Sequence, residues 1–224
     1  ESHFFELKRL LEKHSEQVTI PELRAFYTIA VNYCIRMMIK GKAAFEGERM
    51  QLLKSQVEHR LIFAQGVIPP SKFKNIVSAG AKSREFEWTK TFIENESQYL
   101  SPKFQESVTA FSYAALAYYQ KDYKNVGPHL MQMEYVDLYF ELDKKSLLLK
   151  TYFELGEQEA FDNLVHTFRS FISANKQIPP DQQTVYNNFI SITAQLFLEF
   201  DTNFVLSTDN QSIIFFVSHH SYGE

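Results

Sequence analysis

The chain has 224 residues, 45% of them hydrophobic, enough to bury a core as one domain or one short repeat array without disulfide staples. Its single cysteine, Cys34, excludes an intrachain disulfide and favours a reducing compartment, so a cytoplasmic protein is expected. The net charge of −4 conceals a gradient: all 23 lysines and arginines lie at or before Lys176, and neither the first part nor the acidic remainder has the basic excess that a duplex-binding domain needs. No nucleic-acid partner is expected. No apolar run approaches the roughly 20 residues of a membrane span, and no basic start precedes a short apolar run. Neither a membrane partner nor an exported precursor is therefore expected. Because the chain begins at Glu1, it is read as a piece of a longer protein with further repeats upstream.

Seven glycines and seven prolines fall between apolar-periodic stretches, which points to helices. Leu23, Phe26, Tyr27, Ala30, Cys34, Met37 and Met38 follow the i, i+3, i+4, i+7 rule of one helix face. Phe104, Val108, Phe111, Ala115 and Tyr118 repeat the pattern behind Ser101 and Pro102, and Phe161, Leu164, Val165, Phe168 and Ile172 repeat it again. Pro179, Pro180 and Asp181 introduce a last stretch, Thr184 to Phe200. Ten helices are expected, at about 3–15, 20–39, 43–62, 70–83, 85–98, 103–119, 128–136, 142–155, 158–174 and 182–200. Tight turns recur in "IKGKAAF", "KSREFEW", "YQKDYKN" and "ELGEQEAF". With Gly41, Arg84, Lys121 and Gly156 as equivalent turn positions, the separations are 43, 37 and 35 residues, the drifting period of a helix-pair array.

The stretches "YAALAYYQKDY" and "LLLKTYFELGEQEAF" resemble the first helix and turn of tetratricopeptide repeats. Ala114 and Leu149 take the place of that family's small residue and Tyr123 that of its turn aromatic, whereas its signature tryptophan is absent and Trp88 falls in a second helix instead. The resemblance implies an all-α fold, an irregular right-handed stack of antiparallel helix pairs forming an α-solenoid over residues 1–200. Gly127 and Pro128 interrupt the second helix of one repeat, which is expected to start late with Pro128 in its first turn.

Signatures of catalysis are sparse. The chain contains no HExxH, CxxC, GxSxG, GxxxxGK[ST] or GxGxxG, so no catalytic residue, metal ligand or cofactor site is nominated and no enzyme is expected. His3, His14, His59, His129 and His166 are scattered, and Cys34 lies on an apolar helix face, where a buried inert thiol is expected. Glu46 with Glu48, Glu85 with Glu87 and Glu157 with Glu159 are two apart, which points their side chains away from one another on a helix.

The resemblance places the binding surface on a concave groove lined by the first helix of each pair. Counting back from the turns nominates Asn32 and Arg36, then Lys74, Asn75, Ser78 and Lys82, then Phe111, Ala115, Tyr118 and Tyr119, then Ser146, Lys150 and Glu154. Lys74, Ser78 and Lys82 form an i, i+4, i+8 stripe that, with Lys150, suits an acidic extended peptide whose apolar side chains Tyr118 and Tyr119 would cover. The expected function is a non-catalytic scaffold for a protein or extended peptide. The alternative is a regulatory sensor domain in which the same groove takes a small ligand or signalling peptide for a missing partner domain. Residues 201–224 form an apolar tail, with a polar run from Ser207 to Ser212 and an uncharged run from Ile213 to Val217. That tail is expected to act as a cap or hairpin, disordered at its end, or as a site of self-association.

Overall fold

The computed structural model describes residues 1–201. Among them are ten helices and no strand: α1 (Ser2–His14), α2 (Ile20–Ile39), α3 (Phe45–Glu58), α4 (Pro70–Lys82), α5 (Phe86–Glu96), α6 (Pro102–Tyr119), α7 (Tyr123–Met131), α8 (Leu138–Leu155), α9 (Gln158–Ala174) and α10 (Pro180–Asp201). The expectations for the tail fall on residues 202–224, outside the described part.

Local chemistry accounts for the starts. Thr19 and Glu22 form a reciprocal capping box before α2, with Glu22 Oε2 accepting from the Thr19 amide at 3.1 Å. Prolines occupy the first turns of α2, α4 and α6, where an amide hydrogen is not required. Asp137 Oδ1 accepts from the amides of Tyr139 and Phe140 at 2.8 and 2.9 Å, which is why α8 begins at Leu138 and not at the expected 142.

The four turn positions equated in the sequence share one backbone conformation. Gly41, Arg84, Lys121 and Gly156 all have left-handed φ, at 80°, 59°, 64° and 68°. At three of them the next amide reaches back across the turn, Lys42 to Met37 O at 3.0 Å, Glu85 to Gly80 O at 2.9 Å and Glu157 to Tyr152 O at 3.1 Å, satisfying carbonyls the helix end would leave open. Seven residues before each left-handed position the side chain is wholly buried: Cys34, Val77, Ala114 and Leu149 are all at 0% exposure. The registry between turn and core thus repeats four times although the repeat length drifts.

The chain divides into two units, Glu1–Gln120 and Lys121 onward. In the first, α1 packs on α2, α2 on α3, and α4 on both α5 and α6. In the second, α8 packs on α7, α9 and α10, around a core of Leu142, Leu149, Phe161, Phe168, Ile172 and Ile190. Within each unit a helix thus touches its neighbour and also the helix after that, α4 with α6 and α8 with α10, an arrangement compatible with a helical repeat.

Several expectations are corrected. α7 begins at Tyr123, after Asp122, and carries Pro128 in its interior. Pro128 is only three residues from the helix end, so the missing amide forfeits a single bond to the Lys124 carbonyl. α3 stops at Glu58 instead of running to 62, because Arg60 turns left-handed and the chain then folds a tight loop. There Ala64 and Val67 exchange backbone bonds of 2.7 and 3.1 Å around Gln65 and Gly66, both with positive φ. Phe26, expected in the core, is 40% exposed.

Candidate functional site

The nominated residues separate on inspection. Asn32 and Arg36 are exposed on α2. Lys74 is buried on α4, and Asn75, Ser78 and Lys82 of the same helix are half-buried. Tyr118 is buried on α6 with its ring edge-on to half-buried Tyr119 at 5.4 Å. Phe111, Ala115 and Ser146 are buried too, so the expectation that these positions and Lys74 are exposed is not met. The reason is tertiary: α4 and α6 bury their sides against each other, as do α8 and its neighbours, and counting back from a turn does not reveal which side is used. Lys150 stands on α8 in the second unit, where burial pulls its ammonium down to about 8 despite the nearby Asp143 and Glu154. Lys150 thus belongs to the second unit and the α4 stripe to the first.

The first unit also carries Arg24, Arg49 and Lys72, on α2, α3 and α4 in turn. Lys72, early in α4, donates to Gln56 Oε1 late in α3 at 2.5 Å. Burial lowers the Lys72 ammonium to about 8, and the like charges of Arg24 from α2 and Arg49 from α3 push it the same way. Arg24 spends its Nε on the Leu61 carbonyl at 3.0 Å. Arg49 is half-buried as a residue, yet its Nε is sealed from solvent and has no hydrogen-bond partner. Burial holds its guanidinium below the ordinary arginine value, the charge of Glu46 opposing. The Tyr119 hydroxyl feels the same surroundings, pushed up to about 12 by burial and by Glu46, so it keeps its proton as a donor at neutral pH.

Sequence reasoning passed over Arg24, Arg49 and Lys72, although one signal was available. Phe45, Leu52, Leu53 and Gln56 are buried on α3, and Arg49 falls one turn after Phe45 in the same stripe. A guanidinium at a core position is unusual because an uncompensated buried charge costs several kcal/mol, about 3–5 by the effect of removing one partner of a buried pair. With the geometry fixed, comparison adds no relative: no protein-family model, no curated protein and no solved structure matches this chain.

Proposed function

We propose that this chain is a non-catalytic scaffold of the tetratricopeptide-like kind that holds an acidic, extended segment of a partner protein on the α3–α4–α6 side of its first unit. The observation that carries the reading is that Lys72, half-buried early in α4, is disfavoured as a cation by burial and by the like charges of Arg24 from α2 and Arg49 from α3. Folding against such repulsion is sensible if a negative ligand relieves it. Asn75, Ser78 and Lys82 continue along α4 and supply donors for the rest of an extended chain, while Tyr119 on the adjoining α6 offers an aromatic edge beside a hydroxyl. Two contacts support an antiparallel course for α3 and α4: Gln56 late in α3 meets Lys72 early in α4, and Glu46 early in α3 accepts from Ser83 just past α4 at 3.3 Å. The positive-φ turn registry supports the repeat architecture behind the groove.

The test is fluorescence polarisation with a labelled peptide of alternating glutamate and leucine, beside a second peptide with lysine in place of glutamate. The acidic peptide should bind more tightly, lose affinity as salt rises, and bind about tenfold more weakly when Asn75→Ala and Lys82→Ala are combined. Equal binding of both peptides, or binding of neither, would refute the assignment.

A further inference from the structure

We infer that the first unit is hinged at residues 59–69, with α1–α3 as one body and α4–α6 as the other, and that Arg60 is the latch between them, a device that operates whatever partner the scaffold takes. Helices pack closely within each body, α1 on α2 and α2 on α3, then α4 on α5 and α6, whereas α3 on α4 is the thinnest of these neighbouring contacts. The loop itself divides between the two bodies. Its first residues continue α3: the Arg60 amide donates to the Val57 carbonyl at 3.0 Å and the Leu61 amide to that of Gln56 at 2.9 Å, while the Leu61 carbonyl accepts from Arg24 Nε of α2 at 3.0 Å. Its end belongs to the other body, the Ile68 amide donating to the Tyr99 carbonyl at 2.8 Å just before α4 begins. Between the two, 64–67 closes on itself.

The Arg60 side chain crosses this divide and is held from three sides. Its backbone turns left-handed just past α3, at φ 55°, and its guanidinium lies 4.1 Å from the Phe63 ring centre and 4.6 Å from that of Tyr99. Nη1 donates to both oxygens of Glu96, the last residue of α5, at 3.1 and 2.9 Å. Phe63 in turn meets Tyr99 edge-on at 5.3 Å. Further links between the bodies are polar as well. Glu46 accepts from Ser83 at 3.3 Å, Lys54 pairs with Glu85 at 3.1 Å and lies over the Trp88 ring at 5.6 Å, and Gln56 accepts from Lys72 at 2.5 Å. Each of these links includes a charged side chain, so each weakens as salt screens it. An exposed ion pair or a cation over a ring contributes little alone; several acting together across one thin contact make a latch that releases without unfolding either body.

The experiment is double electron–electron resonance on the full chain, spin-labelled at Ala25→Cys on α2 and Thr91→Cys on α5, two exposed positions in different bodies, with buried Cys34 left unlabelled. Thr91→Cys paired with Gln120→Cys, an exposed position just past α6, is the control within one body. Raising sodium chloride to about 1 M should add a second distance to the 25–91 pair while the control keeps its width. Arg60→Asn, which suits left-handed backbone, should do the same at low salt and raise the ratio of the second population to the first about fivefold. Glu96→Gln should act in the same direction and less strongly, since the two rings still hold the guanidinium. A 25–91 distance unchanged by salt and by both variants overturns the hinge, and equal broadening of the control pair overturns it as a general loosening of the unit. Movement with salt but with neither variant overturns Arg60 as the latch. If Arg60→Asn does not fold, the salt series on the parent chain and Glu96→Gln decide by the same outcomes.

Discussion

A Cβ added to Gly80 would stand on the hydroxyl of Thr89 and against the ring of Trp88. The missing side chain is what lets α4 and α5 close together, with Thr89 at 0% exposure and its Oγ1 donating to the Glu85 carbonyl at 2.7 Å. Gly80→Ala should therefore destabilise, by about 1–3 kcal/mol, even though alanine is the better helix former. Adding Thr89→Ala should return part of that loss, a non-additivity that a double-mutant cycle by urea unfolding measures. Additive costs would show that the two residues do not meet.

Arg84 and Lys121 hold left-handed backbone that a side chain resists, by about 1–2 kcal/mol per residue. Arg84→Gly and Lys121→Gly should each raise the unfolding midpoint, with a net gain of about 0.5–1 kcal/mol after glycine's extra chain entropy. Gly156→Ala should move the midpoint the other way. Its added methyl would meet nothing within 4 Å, so any loss there reports backbone strain alone.

Arg49→Met offers a sharper separation of stability from binding. Replacing a half-buried guanidinium whose sealed Nε lacks a hydrogen bond with an apolar side chain of similar length should stabilise the ligand-free protein by about 1 kcal/mol. The same substitution should weaken binding of the acidic peptide. Loss of stability would mark Arg49 as a structural residue.

The depressed value of Lys72 fixes the sign of one pH dependence. Its ammonium releases its proton near pH 8 when folded and near 10.5 when unfolded, so between those values the unfolded chain binds more protons and stability attributable to Lys72 rises with pH. Below pH 8 the cost of desolvating the charge, next to Arg24 and Arg49, is present in full. Lys72→Met removes that cost, so its stability advantage over the parent chain should shrink from pH 8 to 10.5, read as the difference in urea midpoints. Binding of the acidic peptide should weaken over the same rise, since the donor loses its charge.

Cys34 is fully buried and its thiol is pushed up to about 12, chiefly by burial and then by the charge of Glu48. Thiolate is the reactive form. Iodoacetamide should leave the native chain unmodified at pH 8 and label it once urea unfolds it, as intact-mass measurement will show.

The turns and the buried positions seven residues before them were legible because they are local: glycine, a short polar run and an apolar period all act within one helix end. The start of α7 was not. Pro128 carries a strong helix-start signal, but Asp122 and the left-handed Lys121 had already begun the helix, leaving the proline near an end where it is tolerated. Likewise Lys74 and Tyr118 look solvent-facing when counted from a turn, and only the packing of α4 on α6 hides them. Arg49 shows the converse, since its place in the stripe of Phe45 and Gln56 was visible and its meaning required knowing that α3 buries that stripe.

The constant interval between buried residue and left-handed turn has a bearing on recombination. Differences in repeat length must be absorbed away from those turns, in segments such as 59–69 between α3 and α4 and 132–137 between α7 and α8. These are the natural splice points for exchanging helix pairs or inserting foreign loops, and 64–67, a hairpin closed on itself and joined to the next pair by the Ile68 amide on the Tyr99 carbonyl at 2.8 Å, is a self-contained cassette for such grafts. Cuts at Gly41, Arg84, Lys121 or Gly156 would instead divide the unit that the chain repeats.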